Sequence, residues 1–120
     1  MVKFVAFFAY PVTDMARSRA FYEGVLGMGL STNHQDCWVE YETEGGTLAI
    51  TTMVDELTPG APGGWVALEV DDLDVWVTKV KADGVKVVRD IFESPVCRMA
   101  VILDPDGNCV MLHQCKPGNN

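Results

Sequence analysis

Apolar and polar residues follow one another along this chain in a pattern that comes twice. An apolar run over 4–12, from Phe4 onward, reads as a strand, and Asp14 then stands where a helix is capped. Ala16, Ala20, Phe21, Val25 and Leu26 follow at roughly helical spacing, and Gly27 supplies the permissive residue at a helix end. The second half repeats the order: an apolar run over 65–70, Asp72 as the cap, and Val75, Val77, Val80 and Ala82 before Gly84. Val12, Asp14 and Met15 map onto Val70, Asp72 and Leu73 at one constant separation, and Gly27 maps onto Gly84 with one residue of slippage. Beyond each helix come two or three strand-like segments, cut by turns at Thr43-Glu-Gly-Gly46 and Asp104-Pro-Asp-Gly107. The pattern predicts an α+β fold of two tandem βαβββ modules, with a site between the copies. Module one covers 3–54 and module two 65–115. The proline- and glycine-rich stretch 55–64 reads as the linker and 116–120 as a frayed tail.

Composition narrows this picture. A chain of 120 residues with 48% hydrophobic content is a single domain's worth, too small for two independent cores. The net charge of −8, with no basic patch, argues against a nucleic-acid partner, because the phosphate backbone would be repelled. No apolar run approaches membrane-spanning length, and 1–3 lead into a strand pattern without a signal-peptide layout, so a cytoplasmic protein without membrane attachment is expected. Cys37, Cys97, Cys109 and Cys115 form no CxxC pair and read as reduced core thiols.

Pro11-Val-x-Asp14, Phe21-Tyr-x-x-Val-Leu-Gly27 and Asp104-Pro-Asp-Gly-Asn108 together resemble the vicinal oxygen chelate superfamily, which includes glyoxalase I, bleomycin-resistance proteins and extradiol dioxygenases. The resemblance covers nearly the whole chain. It implies paired βαβββ modules forming a curved mixed sheet around a central cavity, and in the enzymes a divalent metal held by His, Glu or Gln side chains at four strand positions. One ligand of each module lies seven residues before the capping aspartate and the other four residues beyond the turn glycine. Those positions hold Phe7 and Trp65, Ala49 and Met111. None suits an ion that prefers oxygen and nitrogen donors, so neither a metal nor another cofactor is expected.

Strand parity then outlines the lining of the cavity. Val5, Phe7 and Ala9, Thr47, Ala49 and Thr51, Trp65, Ala67 and Glu69, and Cys109, Met111 and His113 should share the inner faces, joined by Trp38, Glu40, Met99 and Val101. Phe8, Leu48, Ile50, Val66, Leu68, Val110 and Leu112 should pack under the helices. Glu69 and His113, with Glu40, could assemble a displaced three-residue metal site, whereas His34 sits in a polar run over 32–36 that reads as an exposed loop. Cys109 and His113 are about 13 Å apart along one strand, too far for a thiolate–imidazole pair. Asp71, Asp72, Asp104 and Asp106 have structural places at a corner and a turn, and no catalytic residue is assigned.

The binding residues expected are therefore Phe7, Trp38, Glu40, Ala49, Thr51, Trp65, Glu69, Met99, Met111 and His113. Aromatic faces beside carboxylates suit a small aromatic or cationic molecule. The expected function is metal-independent binding or sequestration of the bleomycin-resistance type, in a homodimer. Two alternatives remain: a superfamily lyase, isomerase or oxygenase with a displaced metal, and a protein with a closed cavity acting through protein–protein contacts.

Overall fold

The structure is a computed structural model that describes residues 1, 3, 5–55, 58–60 and 64–118. Phe4, several linker residues (56, 57 and 61–63) and the last two tail residues lie outside the described residues. The chain divides into two compact units, Met1–Ala61 and Pro62–Asn120, each a βαβββ module.

Module one comprises β1 (Phe8–Pro11), α1 (Met15–Arg19) continuing as a π-helical stretch over Ala20–Val25, β2 (Leu30–His34), β3 (Trp38–Thr43) and β4 (Gly46–Thr51). Its mixed sheet has the order β1-β4-β3-β2, with β1 parallel to β4 and the other pairs antiparallel. Asp14 caps α1, its carboxylate accepting the Arg17 N–H at 3.1 Å. Past Arg19 the helix widens: the Leu26 N–H reaches the Phe21 carbonyl, five residues back, at 3.0 Å. Adjacent Phe21 and Tyr22 are both buried there, and Tyr22 stacks on Tyr41 with ring centroids 6.0 Å apart. Met15, Ser18, Phe21, Tyr22 and Leu26 are buried, which agrees with the expected face at Phe21 and Leu26 and corrects it at Ala16 and Ala20. Ala16 and Ala20 are exposed, because the face that meets the sheet runs through Met15 and Ser18.

Module two comprises β5 (Val66–Glu69), α2 (Leu73–Ala82), β6 (Val87–Glu93), β7 (Cys97–Leu103) and β8 (Cys109–Cys115), in the order β5-β8-β7-β6. Its pairing repeats that of module one, with β5 parallel to β8. Asp72 caps α2 through the Val75 N–H at 3.2 Å. Leu73, Val77 and Val80 are buried, whereas Val75 and Ala82 of the expected face are exposed: the i, i+4, i+7 stripe begins at Leu73. Gly27 and Gly84, which follow the two helical segments, have φ of 69° and 80°, a conformation that strains any residue with a β-carbon.

The helix-facing side of each sheet carries the apolar residues that parity assigns to it. Leu48, Ile50, Val110 and Leu112 are buried, while Phe8, Val66 and Leu68 are partly covered. The first strand is shorter than its apolar run. The parallel ladder starts at Phe8 opposite Leu48 and leaves Val5 and Phe7 outside it. His34, expected in a loop, ends β2 opposite Trp38, although its side chain is exposed. The reversal comes at Gln35 and Asp36, both with left-handed φ, and the Asn33 side chain accepts the Asp36 N–H at 2.8 Å. Of the four free thiols only Cys97 is buried; Cys37, Cys109 and Cys115 are half-buried, which corrects the expectation of core thiols. Lys116, at the start of the tail, is tied in, its N–H donating to the Val96 carbonyl at 2.9 Å.

Candidate functional site

Each sheet has a second face, turned away from its helix, and the ladder fixes which side chains share it. In module one, one row reads Ala9, Ala49, Glu40, Thr32 and the next Pro11, Thr51, Trp38, His34. Phe7 precedes β1, is half-exposed and meets Trp38 edge to face, with ring centroids 5.2 Å apart and planes at 87°. The Trp38 indole N–H donates to Glu40 Oε2 at 2.8 Å. The bond holds ring and carboxylate side by side. Ala49 and Thr51 are buried, and the Thr51 hydroxyl is engaged locally, donating to the Cys37 carbonyl at 3.0 Å and accepting the Met53 N–H at 2.9 Å.

Behind this face lies a polar network that sequence reading did not find. Arg19 grips Glu23 through both nitrogens of its fork, at 2.7 and 3.2 Å, and reaches Asp36 at 3.1 Å. The buried Tyr41 hydroxyl donates to Glu23 at 2.9 Å. The guanidinium hydrogen bond, helped by that hydroxyl, outweighs desolvation and holds the Glu23 carboxyl below its ordinary value. Burial, reinforced by the Glu23 charge, pushes the Tyr41 phenol well up. A shallow depression of about 360 Å³ is lined by Ala16, Arg19, Ala20, Glu23, Gly24 and Asp36, and none of the expected binding residues borders it.

In module two the matching rows read Ala67, Met111, Val101, Arg89 and Glu69, His113, Met99, Phe92. Trp65 stands immediately before β5 and is half-exposed. The Arg89 guanidinium lies over the Phe92 ring, 3.5 Å from its centroid. Glu69 and His113 come together as parity suggests, with His113 Nδ1 and Glu69 Oε1 2.6 Å apart. Cys115, absent from the expected set, joins them: its N–H donates to Glu69 Oε2 at 2.8 Å, and its thiol lies 3.7 Å from Oε1. The signal was the alternation His113-x-Cys115, which puts both residues on one face. Partial desolvation pushes the Glu69 carboxyl up, but the hydrogen bonds from Cys115 and His113 outweigh it and leave the group below its ordinary value. Desolvation, followed by the Glu69 charge, raises the Cys115 thiol.

The expected binding residues thus fall into two sets: Phe7, Trp38, Glu40, Ala49 and Thr51 in module one, and Trp65, Glu69, Met99, Met111 and His113 in module two. A profile of the glyoxalase/bleomycin resistance protein/dioxygenase superfamily matches residues 5–112. The chain belongs to that superfamily. Among solved structures, this superfamily member is similar to TnmS3, an antibiotic binding protein from Streptomyces sp. CB03234, at 26% identity over 96% of this chain and 98% of that one, with a TM-score of 0.83. It is similar at 27% identity to a glyoxalase/bleomycin resistance protein from the same source, over 91% and 98% of the two chains with a TM-score of 0.78. Lactoylglutathione lyase from Agrobacterium tumefaciens shares the fold, at 22% identity over 95% of each chain and a TM-score of 0.74. A search of curated proteins found no match. The resemblance places the superfamily's metal ligands at Phe7, Ala49, Trp65 and Met111, and the donor set does not fit: three hydrocarbon or indole side chains and one thioether offer no oxygen or imidazole nitrogen. Among the described residues no helix is long and apolar enough to cross a membrane.

Proposed function

We propose that this protein binds a small, planar, cationic molecule without a metal, on the aromatic face of module one. The observation that carries this reading is the Phe7–Trp38–Glu40 group: two half-covered rings meet at a right angle, and the carboxylate hydrogen-bonded to the indole supplies a counter-charge beside them. A cation lying on an aromatic face next to a carboxylate gains on the order of 1–2 kcal/mol from the ring alone. The misfit at the four ligand positions and the likeness to an antibiotic binding protein support the same reading. It includes a cytoplasmic homodimer, which size-exclusion mass measurement tests directly, a monomer at micromolar concentration being the adverse result.

Titration with ethidium, a planar aromatic cation, in the presence of a chelator tests the binding itself. Quenching of tryptophan emission is expected in the wild type and in Trp76→Phe, and is lost in Trp38→Phe. Unchanged emission at millimolar ethidium would falsify the proposal.

A further inference from the structure

We propose that Glu69, His113 and Cys115 form a three-ligand site for a zinc-class divalent cation, displaced from the superfamily's own positions and leaving one coordination position for an exogenous ligand. It goes beyond the reading of module one and does not depend on it. The donor atoms, one carboxylate oxygen, one imidazole nitrogen and one sulfur, all lie within 4.8 Å of one another. Glu69 and His113 are direct neighbours across the parallel β5–β8 ladder, and Cys115 is two residues further on the same face of β8.

The spacing suits a small tetrahedral ion. Metal–donor bonds of about 2.0–2.3 Å put neighbouring donors roughly 3.3–3.8 Å apart. The 3.7 Å between the Cys115 sulfur and Glu69 Oε1 already matches. The 2.6 Å between His113 Nδ1 and the same oxygen has to open by less than about 1 Å as the ion replaces the hydrogen bond. Glu69 is held ready by its other oxygen, which accepts the Cys115 N–H, so the backbone of one ligand orients the side chain of another. Sulfur with imidazole selects zinc-like ions over magnesium or calcium, and three protein ligands with a fourth position open is the arrangement of exchangeable sites.

The test uses the whole, reduced, chelator-stripped protein, titrated with Zn²⁺ and separately with Co²⁺. One equivalent of zinc should survive gel filtration, and cobalt should give a thiolate-to-metal charge-transfer band in the near ultraviolet. Cys115→Ser should abolish the band, Glu69→Gln and His113→Ala should weaken zinc binding on the order of 100-fold, and Cys109→Ser should leave both readouts intact. Should Cys115→Ser not fold by circular dichroism, protection of the wild-type Cys115 from maleimide by one equivalent of zinc, read by peptide mapping, serves in its place. Substoichiometric retention, a band that persists in Cys115→Ser, an equal loss in Cys109→Ser, or unprotected Cys115 would each overturn the proposal. Ethidium binding is measured with chelator present, so either site can fail without the other.

Discussion

At matching rungs of their ladders the two modules hold different chemistry on one scaffold. Thr51 in β4 and His113 in β8 are the residues paired with the ends of the parallel strands, Pro11 and Glu69. Thr51 is buried and its hydroxyl serves the backbone of its own module, whereas His113 is partly exposed and its partner is another side chain. Trp38 and Met99 stand on the next strand of the same rows. The helix-facing sides, by contrast, remain alike, with aliphatic pairs at Leu48 and Val110 and at Ile50 and Leu112. One face of each sheet is constrained by packing. The other is free to differ, and the candidate chemistry lies there.

The strongest way to sharpen this contrast is at the turns. Asp104 accepts the N–H groups of Asp106 and Asn108 and the Asn108 side-chain amide, all at 2.8–2.9 Å, and is buried. Asp104→Ala should cost about 2–4 kcal/mol in chemical denaturation, because several buried donors lose a charged acceptor. Glu44→Ala, in the exposed turn of module one, should stay within about 0.5 kcal/mol. Equal losses would mean that the turns are equivalent after all.

Next comes the Arg19–Glu23–Tyr41 network of module one. Glu23→Gln should destabilise by about 1–2 kcal/mol at neutral pH, allowing for the partial exposure of the pair. Because the folded Glu23 carboxyl lies below its ordinary value of 4.5, its contribution is complete above that value and is lost as pH falls through the folded one. Thermal melts of wild type and Glu23→Gln should therefore converge under acid; a gap that widens there contradicts the assignment. Thr51→Val should cost about 1 kcal/mol through its two lost hydrogen bonds. His113→Ala, at the matching rung, should change stability by no more than about 0.5 kcal/mol while weakening zinc binding about 100-fold. Reversed magnitudes in denaturant titration would break the comparison between the faces. Phe7→Ala should cost about 0.5–1 kcal/mol from the lost edge-to-face contact, accompanied by weaker ethidium quenching.

The fold could be read from the repeat because caps, turns and helix-ending glycines act through local backbone rules. Asp14, Asp72 and the Asp104–Gly107 turn each do what their sequence context predicts. The helix faces were less legible. Which stripe meets the sheet depends on how the helix sits, and in module one the π-helical widening buries two adjacent aromatics that a single 3.6-residue period does not place together. Parity correctly joined Glu69 to His113, since both are counted from strand anchors. Cys115 is not legible as a site residue because a cysteine in a strand reads first as a packed thiol, and the Arg19–Glu23–Tyr41 network is not because its members come from separate elements.

Each parallel seam closes its module last in the sense of chain connectivity. The antiparallel neighbours β3 and β4, or β7 and β8, are joined by short turns, while β1 must find β4, and β5 must find β8, across the intervening helix and two strands. Such non-local pairing carries the larger loop-closure cost and is slow to form. The Glu69–His113 contact spans one seam, and Phe7 reaches Trp38 from the lead-in to the strand that forms the other. Both groups of side chains therefore exist only in the completed modules, and a partial opening that released β1 or β5 would dissolve them while leaving the hairpins paired. Hydrogen exchange along these two outer strands would then report how often each group comes apart.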